Sequence, residues 1–183
     1  MFQKLLAKLA KALKKRKIPY MVIGGQAVLL YGEPRMTRDI DITIGAGTEK
    51  LGELLGVLKE TGLKVIPKKV KEFVEQTFVL PAIDKKTGIR ADFIFSFTPY
   101  EAAAIKRARK ITLAGEKMAF AAPEDVIIHK IFAGRPRDIE DAKSIILKNK
   151  KLDTHYLKSR LVEFDAAFPD KKFLKIFLNL SSC

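Results

Sequence analysis

Phe2, Leu5, Leu6, Leu9 and Leu13 recur at helical spacing, and Lys4, Lys8, Lys11 and Lys15 fall on another face. This predicts a basic amphipathic helix that ends before Pro19. The apolar run 20–23 reads as a short strand. Gly24-Gly25 then turns the chain into a short helix over 26–31, broken by Gly32 and Pro34. Over 38–44 the pattern switches to strict alternation. Ile40, Ile42 and Ile44 face one way, and Asp39 and Asp41 face the other, roughly 7 Å apart along the strand. A turn over 45–48 follows, with Thr48 as N-cap of a helix over 49–60 that Gly62 closes. Segments 73–83 and 89–97 read as strands joined by a hairpin loop at 84–88. Pro99 starts a helix running to about residue 108, and 110–113 with 117–120 forms a second hairpin. Beyond Pro123 the pattern is helical throughout, over 123–133, 137–149, 154–165 and 170–179.

Strands interleaved with helices, then helices alone, predict an α/β (α+β) fold. The expected division is a mixed-sheet core over residues 1–121, carrying the N-terminal basic helix, and a helical region over 122–183 packed on it. The 183 residues, 48% of them hydrophobic, suffice for one good core with an appended part. No apolar run approaches the ~20 residues of a membrane helix, and no uninterrupted apolar segment reads as a secretory signal. Cys183 is the single cysteine and has no internal disulfide partner, so a reducing cytoplasm is expected. With His129 and His155 the only histidines beside that one cysteine, no structural zinc site is expected. Abundant lysine, few Asn and Gln, and no Trp lean towards a heat-adapted source.

The net charge of +14 is unevenly spread. Residues 1–38 hold nine Lys/Arg against one carboxylate, residues 39–92 nine against nine, and residues 93–183 seventeen against eleven. A neutral segment carrying acidic positions between basic flanks suits a polyanion such as RNA, and NTP as a second anion. A generic lysine-rich surface is the alternative. The N-terminal helix has two readings as well: a membrane-surface helix, or a helix docking its leucines on the core. The second is favoured because the strand that follows needs cover.

Asp39 and Asp41 repel one another unless a cation lies between them, and hard divalent cations prefer oxygen ligands. The pair therefore points to a metal site for phosphate chemistry. Asp92 is the one acid in an otherwise apolar strand whose Ala91, Phe93 and Phe95 share the opposite face. A buried Asp needs a partner or a cation. If its strand lies beside that of Asp39 and Asp41, three carboxylates converge. The alternative is an ion pair with Arg90 or a nearby lysine. Gly24 and Gly25 leave room for a phosphate to approach the amides at the following helix N-terminus. No Lys-Ser/Thr follows them, which excludes a P-loop.

Gly-Gly, then Asp-Ile-Asp-Ile, then a later strand aspartate together resemble the DNA polymerase beta-like nucleotidyltransferase superfamily. The segment from Pro123-Glu124-Asp125 through Lys130 to Arg137-Asp138-Ile139-Glu140-Asp141 resembles its minimal and abortive-infection-toxin-type branches. The resemblance covers roughly residues 18–148. It implies Mg²⁺ held by Asp39, Asp41 and Asp92 in a two-ion site, with these acids as the catalytic residues and NTP as substrate. It places Gly24, Gly25, Arg38 and Lys130 on the nucleotide. For Arg38 a structural ion pair is the alternative, and for Lys130 a solvated surface position. Asp138 is expected to cap its helix or pair with Arg137. The implied activity is transfer of a nucleoside monophosphate to an acceptor, with RNA, such as a tRNA end, preferred. A cationic aminoglycoside is disfavoured by the charge, and a protein acceptor or partner remains open. The alternative is a catalytically weak nucleotide- or RNA-binding module of the same fold, such as an antitoxin-like partner.

Overall fold

The structure, a computed structural model, describes residues 1–182. Cys183, on which the reduced-thiol expectation rests, lies outside the described residues. The chain forms two compact units: Met1–Gln26 with Thr37–Ala121, and Ala27–Met36 with the chain from Ala122 onward. The segment Ala27–Met36 thus groups with the C-terminal helices although it lies between two strands of the first unit.

The first unit is built on one mixed seven-stranded sheet, in the order β3-β4-β5-β2-β1-β7-β6. Its strands are β1 (Tyr20–Ile23), β2 (Asp39–Ile44), β3 (Lys64–Val65), β4 (Val79–Ile83), β5 (Arg90–Phe95), β6 (Arg109–Leu113) and β7 (Glu116–Phe120). β1 runs antiparallel to β2, and β2 pairs in parallel with β5. Alternation decides the two faces. Ile40, Ile42 and Ile44 are buried with Ala91, Phe93 and Phe95, and Leu80 and Ala82 of β4 oppose Phe93 and Ala91 in register. The opposite face carries Asp39, Asp41, Arg90 and Asp92.

Helix α1 (Phe2–Lys15) buries Leu5, Leu6, Leu9 and Leu13 against α3 (Leu51–Thr61) and β7. Its leucines are thus consumed by the core, as the docking reading expects, and are not available to a bilayer. No described helix is long and apolar enough to cross a membrane. Thr48 opens a 3₁₀ turn, Thr48–Lys50, rather than capping the helix, whose N-cap is Lys50. Gly62 closes α3 in the left-handed region at φ +80°, as predicted. The largest departure is at 73–83. Its first half is a helix, α4 (Val70–Thr77), and only Val79–Ile83 is strand. Phe73, Val74 and Phe78 carry high β propensity, but burial of Val74 on one helical face overrides it. Phe78, at φ +56°, ends the helix. Helix α5 (Pro99–Arg107) starts with a capping box of Thr98 and Glu101.

The second unit comprises the greater part of α2 (Gly24–Tyr31) with α6 (Pro123–Ala133), α7 (Pro136–Lys148), α8 (Thr154–Ala167) and α9 (Phe173–Ser181). Ile127, Ile128, Ile131, Ile145, Leu157, Leu161 and Phe177 form its core. Asn149 donates to the carbonyls of Tyr31 (2.8 Å) and Ile145 (2.7 Å), which ties the end of α2 to the end of α7.

Candidate active site

Parallel pairing of β2 with β5 sets Asp39 opposite Arg90 and Asp41 opposite Asp92. Neighbouring strands lie about 4.8 Å apart, and alternate residues of one strand about 7 Å apart. The three aspartates therefore share one patch of the sheet face, each half-buried. The Arg90 guanidinium registers their charge. Its hydrogen bond to Asp92 holds its pKa above the usual value, against burial, and the charges of Asp92, Asp39 and Asp41 add to the effect.

Gly24 takes φ +62°, and a Cβ there would overlap the Asp41 carboxylate. Both facts demand glycine. Asp41 thus lies directly against the first residue of α2, where unpaired backbone N–H groups and the positive end of the helix dipole favour an anion. Gly25 is buried behind it. Gln26, also buried, donates through its side-chain amide to the Asp39 carbonyl (3.4 Å), which fastens the first turn of α2 to the start of β2. Thr37 donates its hydroxyl to Asp39 Oδ1 (3.2 Å). The roles of Gln26 and Thr37 were not read from the sequence. Their position within two residues of a site residue is the one signal that could have found them.

The side chains are not arranged as the sequence led us to expect for a metal. Among the described residues no group of three Asp, Glu, His or Cys is arranged to hold a metal ion. The backbone register for such a site is present, but Asp92 Oδ1 is turned to Arg90 Nε at 2.8 Å, the alternative foreseen for this residue. Chemically the set still suits a hard divalent cation, since its donors are all carboxylate oxygens. Rotation of Asp92 away from the half-exposed Arg90 would complete it.

Arg38 lies just outside β2, in the segment before it, and is exposed. Lys130 belongs to the second unit and is not a solvated lysine. Its ammonium is buried between Asp138 (2.7 Å) and Asp141 (3.0 Å). Arg35 grips Asp141 with two hydrogen bonds, at 2.7 and 2.8 Å, and Arg135 donates to Asp138. Asp138 therefore neither caps α7, whose N-cap is Arg135, nor pairs with Arg137, which bonds Glu140. Burial pushes the Asp138 and Asp141 carboxyls up, but the hydrogen bonds from Arg135, Arg35 and Lys130 outweigh it and hold both below the usual carboxylate range.

The model of a nucleotidyltransferase family of unknown function, DUF6036, matches residues 2–177. The chain belongs to this family. It is an enzyme of the nucleotidyltransferase class. No curated protein matches the sequence. Among solved structures, the antibiotic-resistance factor ANT(2'')-Ia is similar over 92% of this chain and 93% of its own, at 20% identity and a TM-score of 0.64. An antigenic nucleotidyltransferase-like protein from Paracoccidioides brasiliensis is similar over 92% and 88%, at 18% identity and 0.58. The lincosamide antibiotic adenylyltransferase LnuA is similar over 78% and 94%, at 17% identity and 0.55. At these identities the likeness is one of fold, and the mixed sheet described above is that fold.

Proposed function

We propose that this nucleotidyltransferase moves a nucleoside monophosphate from an NTP to a hydroxyl of an RNA acceptor, and that it depends on Mg²⁺. The observation that carries the reading is the in-register pairing of Asp41 with Asp92 beside the side-chain-free Gly24. In the proposed reaction the acceptor hydroxyl oxygen bonds to the α-phosphorus, the bond from that phosphorus to the bridging oxygen breaks, and pyrophosphate leaves. The hydroxyl proton passes to Asp92. Asp39, Asp41 and Asp92 would hold Mg²⁺, which when bound neutralises triphosphate charge and polarises the reacting phosphate. Amides of Gly24 and Gly25 receive a phosphate at the start of α2, and the exposed Arg38 adds a cation beside the acids. Lys130 is left out because two aspartates already hold its ammonium. Catalysis of this kind is positioning and charge stabilisation, with no covalent intermediate.

A net charge of +14 supports a polyanionic acceptor. One solved neighbour, ANT(2'')-Ia, is described in complex with adenylyl-2''-tobramycin, but such a polycation would be repelled by this chain. A second reading, a nucleotide-binding module with little turnover, is favoured by the Arg90–Asp92 pair, which occupies the third acid. The two readings part in one experiment. The protein is incubated with each labelled NTP, Mg²⁺ and total tRNA, and the same is done with Asp41→Asn. The proposal expects label in the RNA, lost with EDTA and reduced at least about 100-fold by the substitution. NTP binding without transfer to RNA or tobramycin would support the binding module. Transfer to tobramycin alone would overturn the RNA acceptor.

A further inference from the structure

The sheet face that carries the acids continues past Asp92. Pro81 of β4 is the ladder partner of Asp92 and lies on the same sheet face. Beyond it, the connection from β3 to α4 and the first turns of α4 border an open groove of about 450 Å³. Lys68, Lys69, Glu72, Phe73, Gln76 and Arg90 line it, and all belong to the first unit. Arg90 is thus shared. Its Nε bonds Asp92, and its half-exposed guanidinium also forms one wall of the groove. Two strand spacings, about 10 Å, separate the Pro81 position from that of Asp41.

The groove has a definite chemistry. Three cations oppose one carboxylate, and that carboxylate, Glu72, is already paired with Lys69 at 2.9 Å. Phe73 exposes 37% of its surface and Ile66, also on the wall, 47%. A cationic track with an exposed aromatic ring is how proteins hold single-stranded nucleic acid: lysine and arginine take phosphates, and the ring stacks a base. The groove is open to solvent along its length, and a base can reach the exposed face of Phe73 only from a strand whose bases are unpaired.

We propose that this groove seats the single-stranded end of the RNA acceptor, with Lys68, Lys69 and Arg90 on its phosphates and Phe73 stacked on a base. The inference rests on the RNA-acceptor reading above and deepens it, by placing the strand on the β4 side of Asp92. An arriving phosphate competes with Asp92 for Arg90. Acceptor binding therefore frees the third acid.

The test measures binding of a fluorescent single-stranded oligoribonucleotide, its duplex form, and an NTP analogue, each across a range of salt. Lys68→Ala with Lys69→Ala is expected to weaken single-strand binding at least about tenfold and to lower the salt slope by about 1.4. Phe73→Ala is expected to weaken it about tenfold with the slope unchanged. NTP binding should be unaffected by all three. Lys8→Ala with Lys11→Ala, on helix α1 and outside the groove lining, serves as the control for non-specific charge. Equal losses from the α1 and groove variants, tighter binding of duplex, or single-strand affinity unmoved by the groove variants would each overturn the proposal. If transfer to RNA occurs and the groove variants leave its KM unchanged, the groove assignment fails while the enzymatic reading stands. If RNA binds at the groove and no label is transferred, the enzymatic reading fails and the groove stands as a binding site.

Discussion

Two clusters of aspartates in this protein are treated in opposite ways. On the sheet face, Asp39, Asp41 and Asp92 bring three like charges together, half-buried, with one exposed arginine among them. In the helical unit, Asp138 and Asp141 are almost wholly buried, yet Lys130, Arg35 and Arg135 surround them, so the cluster is neutralised from within. The second arrangement is what a structural network needs, because a buried charge without a partner is costly. The first serves the fold poorly. Concentrated like charge beside a helix N-terminus suits a cation and a phosphate instead. Residue type alone does not separate the two. Their charge balance does.

The contrast predicts opposite responses to the same substitution. Asp138→Asn should cost about 3 kcal/mol in urea unfolding, since it leaves Lys130 and Arg135 short of a buried counter-charge, and NTP binding to the folded fraction should be unchanged. Asp41→Asn should abolish transfer and cost far less in urea than Asp138→Asn, because Asp41 is only half-buried and stays in contact with solvent. Loss of stability from Asp41→Asn as large as that from Asp138→Asn would erase the distinction between the clusters.

Gly24→Ala comes next. It forces a left-handed backbone on a residue with a Cβ and drives that Cβ into the Asp41 carboxylate. A cost of about 1–3 kcal/mol is expected, together with loss of transfer, readable by thermal melting and label incorporation. Gly62→Ala is the comparison, since its φ is also positive but nothing lies within 4 Å of its Cβ position. It should lose some stability and keep activity.

A smaller and gradual effect is expected in acid. Asp138 and Asp141 are held below the usual carboxylate range in the folded protein, so the unfolded chain takes up protons first as pH falls. Their contribution is full above the unfolded value of about 3.9 and is lost as pH falls through the lower folded values. Urea midpoints from pH 7 down to pH 3 should drop below about pH 4, and the drop should shrink in Asp138→Asn. The smallest effect belongs to the surface. Glu60→Gln removes the pairs with Lys15 and Arg16, and it should produce no shift in melting beyond the scatter of replicates.

Much of this molecule was legible before its structure. Alternation in Asp39–Ile44 announced both the buried isoleucine face and the acidic one, because strand geometry leaves no third option. Helix α1 and the four C-terminal helices followed from spacing, proline and glycine. Segment 73–83 was misread because Phe and Val favour strands locally, whereas the helix there is decided by what Val74 packs against. Asp138 was misassigned because a helix-start aspartate next to an arginine is a local pattern, while its partner Lys130 comes from the preceding helix.

What the residues alone determined is the chemistry on offer: two acids on one strand face, a third on another strand, glycines where phosphate would approach, and an excess of positive charge. Only tertiary structure decided that β2 and β5 lie side by side and parallel, so that Asp41 meets Asp92, that the half-exposed Arg90 holds the third acid, and that Lys130 is spent on a buried network. The physical reason is range. Periodicity and turn chemistry act over a few residues and are written in the chain, whereas the pairings of β2 with β5 and of Arg35 with Asp141 join positions about fifty and a hundred residues apart, and even the near pairs Arg90–Asp92 and Lys130–Asp138 are selected by burial once the core has closed.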